Sequence, residues 1–108
     1  MPHYMFQVAY TSESWATQIK NPQNRMEAIR PVVESVGGKL ESFHLAFGEY
    51  DVIIIAEFPD NVSAGAISVA AAAGGGVKAI KTTPLMTVEE GMEMARKAAG
   101  SGYRPPGS

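Results

Sequence analysis

Polar and apolar positions alternate with a period of two from His3 to Tyr10, with Tyr4, Phe6, Val8 and Tyr10 on one face and Met5, Gln7 and Ala9 on the other. This period, with its aromatic enrichment, predicts a β-strand. Thr11 to Ser14 interrupts it, and the four-residue spacing of Trp15 and Ile19 predicts a short helical turn, with the lone tryptophan as a packing anchor. Met26, Ile29, Val33 and Val36, at spacings of three and four, then predict an amphipathic helix. Asn21-Pro22 offers one start for it, and Asn24 with Glu27 a deeper one. Pro31 predicts a kink or a split, and Gly37-Gly38 the end.

A second strand is predicted over Lys39 to Phe47, with Phe43, Leu45 and Phe47 pointing one way and Ser42, His44 and Ala46 the other. Gly48-Glu49-Tyr50-Asp51 reads as the turn of a hairpin whose return strand runs from Val52 to Phe58. That return strand is apolar on both sides until Glu57, the pattern of a central strand covered on both faces. After Pro59-Asp60 a helix is expected to bury Val62, Ala66, Val69 and Ala73 and to end at Gly74-Gly75-Gly76. The last strand spans about Val77 to Met86, and Pro84 assigns it to a sheet edge. Thr87-Val88-Glu89-Glu90 is a capping-box pattern that opens a final helix with the stripe Val88, Met92, Ala95 and Ala99.

The predicted order is βαββαβ with an added C-terminal helix. The fold class is therefore α+β: a ferredoxin-like, four-stranded antiparallel sheet with two helices on one face. Residues 1–99 form the single domain, and residues 100–108, rich in Gly, Ser and Pro, are expected to be a disordered tail. Two helices cover only one face of the sheet, while the hairpin's return strand is apolar on both. The second face is expected to be covered by another copy of the chain, giving a homodimer with a barrel-like interior or a larger ring.

Composition narrows the function classes. With 108 residues, 45% of them hydrophobic, the chain suits one compact core. A formal charge of −2 supplies no basic field, so no nucleic-acid partner is expected. The absence of cysteine excludes disulfides, thiolate nucleophiles and cysteine-ligated metals. The longest uncharged run, Asn61 to Val77, falls short of a membrane span, so no membrane partner is expected. The first residues lack the basic start and apolar run of a signal peptide, which makes the cytoplasm the expected location. Gly74-Gly75-Gly76 follows a helix and lacks a Gly-Lys-Ser/Thr ending, so it is not a phosphate loop, and no cofactor is expected.

Gly48-Glu49-Tyr50-Asp51, backed by Val52-Ile53-Ile54-Ile55, resembles the signature of the small bacterial GYD-domain family. The resemblance continues in Asn21-Pro22-Gln23-Asn24-Arg25, Gly37-Gly38-Lys39, Glu57-Phe58-Pro59-Asp60 and the run Val77 to Thr83, and covers roughly Tyr4 to Glu90. It implies a ferredoxin-like fold of the dimeric α/β-barrel type and carries no activity with it. The hairpin is also similar to that of the ligand-sensing domains of leucine-responsive transcription regulators. Their helix-turn-helix domain has no counterpart here. That likeness implies a small-molecule pocket near subunit contacts and argues against direct DNA binding.

Four side chains are the candidate ligand-binding set: His44, Tyr50, Asp51 and Lys81. His44 lies opposite the aromatic face of its strand and is the one candidate catalytic residue, able to orient a ligand or act as a general base. The alternative for it is an interface histidine bonded to Ser42 or to a partner. Tyr50 can extend its hydroxyl toward a pocket, Lys81 can meet an anionic group, and Asp51 can accept backbone amides and fix the turn. His3 and His44 lie far apart in sequence with no carboxylate at ligand spacing, so no metal site is expected. Two functions remain open. One is a homo-oligomeric binding or assembly module with an apolar pocket for a small apolar or aromatic metabolite. The other is a cofactor-independent oxygenase- or isomerase-like enzyme with His44 as base.

Overall fold

The computed structural model describes residues 1–107. Eight elements follow in order: β1 (His3–Tyr10), α1 (Ser12–Lys20), α2 (Arg25–Ser35), β2 (Lys39–Leu45), β3 (Val52–Glu57), α3 (Asn61–Ala73), β4 (Val77–Leu85) and α4 (Val88–Ala99). The strands form one antiparallel sheet in the order β2-β3-β1-β4. This is the expected ferredoxin-like arrangement, with β1 and β3 in the centre and the proline-bearing β4 at an edge. Residues after α4 carry no helix or strand as far as Gly107, and the last residue of the expected disordered tail, Ser108, lies outside the described residues.

Register decides what each face presents, because directly opposed residues of an antiparallel pair point to the same side. Across β2-β3-β1-β4, one face carries the rows Leu40–Ala56–Tyr4–Pro84, Phe43–Ile54–Phe6–Thr82 and Leu45–Val52–Val8–Ile80. The other face carries Lys39–Glu57–His3–Leu85, Ser42–Ile55–Met5–Thr83 and His44–Ile53–Gln7–Lys81. Only the first face is covered by helices. On β3, Val52, Ile54 and Ala56 are buried, whereas Ile53 and Ile55 remain half-buried. We call the second face the open face.

The buried core runs along the helix-covered face from Phe58 to Val8 and Val52. Phe58 is fully buried, with its ring edge-to-face against both Tyr4 and Phe6 at centroid distances of 5.8 Å. Val33, Leu40, Ala56 and Ala64 pack into this cluster, which continues along the sheet through Ile54, Val52 and Val8. The end of α2 is shaped to it. Gly37 has φ 82°, and Gly38 N–H bonds Val33 O at 3.0 Å while Gly37 N–H bonds Glu34 O at 3.0 Å. This pair of bonds is a Schellman closure. A Cβ on Gly38 would stand 2.7 Å from the Phe58 ring, so only glycine lets α2 end this close to the core.

Several elements differ from the sequence expectation. Ser12 to Lys20 is a full helix rather than a turn, opened by Thr11, whose side chain accepts from Ser14 N–H. α2 begins at the deeper of its two possible caps, with Asn24 accepting from Glu27 N–H, and runs through Pro31 unbroken. β2 stops at Leu45, leaving Phe47 fully exposed outside the sheet. α3 buries the side opposite to that expected: Ala64 is buried and Ile67, Ser68 and Ala71 half-buried, while Val62 and Val69 face solvent.

Candidate functional site

The helices that cover the sheet stand apart. α2 packs on β2 and α3 on β4, the two outer strands, and the helices make little contact with each other. Near Phe58 the core fills the space between them. Toward the far end of β1 it does not, and a cleft of about 560 Å³ remains. Its floor is the middle of the sheet: Phe6 and Val8 of β1, Val52 and Ile54 of β3, flanked by Phe43 and Ile80. Ile29 and Val33 form one wall, and Ile67 and Ala71 the other. The volume falls within the range of small-molecule sites, ~300–1,000 Å³.

The rim of the cleft is polar. Glu13, Ser14, Thr17 and Gln18 of α1 line it, together with Gln23, Arg25 and the backbone of Gly74 to Gly76. α1 is moored there by its first turn: Ser14 Oγ donates to Gly76 O at 2.6 Å, and Thr11 N–H bonds the same carbonyl at 3.2 Å. Arg25, the first residue of α2, makes no ion pair among the described residues. The arrangement offers an apolar slot with amide, hydroxyl, carboxylate and guanidinium groups at its mouth. It holds no nucleophile activated by an adjacent base.

Of the expected ligand-binding residues, none lines this cleft. Asp51 serves to join parts of the fold. Its Oδ2 accepts Tyr10 N–H at 2.9 Å and the Trp15 indole N–H at 3.3 Å, its own N–H bonds Val8 O, and its carbonyl accepts Ala46 N–H. The carboxylate thus ties the hairpin to the β1–α1 junction, and Tyr10 and Trp15 pack edge-to-face beside it at 5.4 Å. Gly48 has φ 157°, which side-chain-bearing residues rarely adopt. Tyr50 is half-buried beside these residues in the same hairpin connection.

His44 and Lys81 are exposed on the open face. They share one row, His44–Ile53–Gln7–Lys81, but stand on its opposite edges, three strand spacings or roughly 14 Å apart. The fold therefore brings Asp51 close to Trp15, places His44 and Lys81 across a shared surface, and unites neither pair with the other. The cleft residues were missed because they are ordinary aliphatic and aromatic core side chains from β1, β2, β3, β4, α2 and α3. The one signal available was the polar group Gln18, Gln23 and Arg25 around the start of α2.

Comparison with known proteins adds one positive result. The sequence model of the GYD domain matches residues 4–95, which is most of the chain. No curated protein and no solved structure matches it. No helix among the described residues is long and apolar enough to cross a membrane.

Proposed function

The chain belongs to the GYD-domain family, and from that premise together with the cleft we propose that it is a small-molecule-binding module. The observation that carries this reading is the unfilled apolar slot between α2 and α3 with Arg25, in no ion pair among the described residues, at its rim. An apolar floor takes a small apolar or aromatic body by removing it from water, at about 25 cal/mol per Å² of apolar surface buried. The rim favours a polar or anionic end group, since a guanidinium makes charge-assisted bonds to carboxylate-like oxygens.

Self-association completes the proposal. Met5, Ile53, Ile55 and Leu85 are half-buried on the open face, and α4 carries exposed Val88, Met92 and Met94 with no buried residue. A second copy of the chain gives both surfaces a partner.

A titration of the tag-free chain with 8-anilinonaphthalene-1-sulfonate, an aromatic anion, tests the site. We expect saturable binding that Ala71→Trp abolishes by filling the slot and that Arg25→Gln weakens about tenfold. Ile55→Ser, on the other face, should leave the dye affinity unchanged. Dye binding that survives Ala71→Trp in a protein with intact circular dichroism would reject the cleft as the site. Light scattering on the same samples should give a mass above that of one chain, and a stable monomer at micromolar concentration overturns the self-association.

A further inference from the structure

The open face of the sheet carries a cluster unrelated to the cleft. His3, Glu41 and Glu57 each offer a donor atom, and the three atoms lie within 4.8 Å of one another. They come from three strands, β1, β2 and β3. Register sets His3 opposite Glu57. Glu41 is the additional residue where the β2–β3 register shifts between Leu40 and Ser42. In a regular ladder Glu41 would stand opposite Ile55, and Phe43 would turn to the open face. The irregularity keeps Phe43 on the covered face and leaves Glu41 free to reach back toward the His3–Glu57 row.

We propose that His3, Glu41 and Glu57 form a site for a first-row divalent cation of the zinc or manganese class. Three features support it. The first is spacing. His3 Nε2 hydrogen-bonds Glu41 Oε1 at 2.7 Å, a contact that a metal would replace, and lies 3.7 Å from Glu57 Oε1. Donors around a tetrahedral ion at ~2.0–2.1 Å stand roughly 3.3 Å apart, so these separations bracket the requirement and small glutamate rotations meet it.

The second is charge. With a neutral imidazole the set carries two negative charges close together, which a divalent cation balances. Lys39, the cation that register places opposite Glu57, is exposed and paired with neither glutamate. The third is chemistry. One imidazole nitrogen and two carboxylate oxygens make a borderline donor set, suited to zinc or manganese more than to a hard ion that prefers oxygen alone. Three protein ligands on a half-exposed surface also leave a coordination position for water or a ligand oxygen. The site lies on the face opposite the cleft and does not depend on what the cleft binds.

The test uses the tag-free chain stripped with chelator and titrated calorimetrically with zinc, manganese and magnesium ions, with thermal melting in parallel. Zinc and manganese should bind saturably at one equivalent per chain and raise the melting temperature, and magnesium should do neither. His3→Gln and Glu57→Gln should each weaken zinc at least about tenfold, while His44→Gln, which removes the only other histidine, should not. Absence of saturable binding at micromolar metal overturns the site. So does binding that His44→Gln removes and His3→Gln does not. If a variant fails to fold, manganese broadening of the imidazole proton resonances in the unaltered chain decides: it should select His3, and selective broadening of His44 rejects the proposal.

Discussion

The two ends of the helix-covered face are built from the same strands and helices and come out differently. At one end, Phe58, Tyr4, Ala56, Val33 and Ala64 close into a fully buried cluster. At the other, Val8 and Val52, buried members of the same cluster, lie beneath a cleft that α2 and α3 leave between them. What separates the ends is the filler. A single aromatic, Phe58, packs from just beyond β3 against Tyr4, Phe6 and the Gly38 end of α2, whereas at the other end Tyr10 and Trp15 pack on each other. There α1 and the Asp51 linkage form a frame around empty space. The open space therefore lies toward the Asp51 end, above Val52, which is as fully buried as Phe58.

The largest expected effect breaks that contrast directly. Phe58→Ala removes a fully buried ring and should cost about 3–5 kcal/mol, read from the urea midpoint. Phe43→Ala, at the half-buried margin of the cleft, should cost less than half as much. Equal losses would mean that both ends are packed alike.

An intermediate effect sharpens it. Asp51→Ala leaves the Tyr10 amide and the Trp15 indole N–H without their acceptor and should cost about 1–3 kcal/mol. Because Trp15 is the sole tryptophan, its emission reports the local change. Unaltered emission and stability in Asp51→Ala would show that the frame does not depend on this carboxylate.

The smallest effect is a pH dependence at the Phe58 end. Asp60 caps α3, and the backbone N–H of Ser63, followed by the Ser63 side chain, holds its carboxyl below the usual carboxylate range. A depressed folded-state value favours the ionised form. The stability it contributes is present above the unfolded-chain value and is lost as pH falls through the lowered folded one. Urea midpoints measured from neutral to acidic pH should fall slightly less steeply for Asp60→Asn than for the unaltered chain. Identical slopes would remove this aspartate from the acid response.

The sheet was legible because its information is local. The alternation in β1, the doubly apolar β3 and Pro84 in β4 specify element type and place without reference to distant residues. Helix faces were legible only where polarity contrasts. Met26, Ile29, Val33 and Val36 stand out among charged neighbours and are the inward stripe of α2. In α3 nearly every residue is small and apolar, so the pattern cannot choose a side. The inward side is set instead by Tyr4 Oη donating to Asn61 at 2.6 Å and Thr82 Oγ1 donating to Ser68 at 3.1 Å. The cleft was illegible because it results from helix separation, a property of no single residue. His3, Glu41 and Glu57 were illegible as a group because only register and a strand irregularity bring them together.

α4 carries a last consequence. The chain measures 58 × 33 × 22 Å with a radius of gyration of 17.2 Å, against about 13 Å for a compact domain of this length. The excess is consistent with a helix that leans on almost nothing. Its twelve residues are held by the Thr87–Glu90 capping box and by their own backbone ladder. An isolated helix shorter than ~12–15 residues is only marginally formed in water. In a lone chain the amides of α4 should therefore exchange with solvent faster than those of β1 and β3. On the proposed self-association α4 gains a docking surface, and the hydrogen-exchange rate of this one segment should fall as the chain assembles.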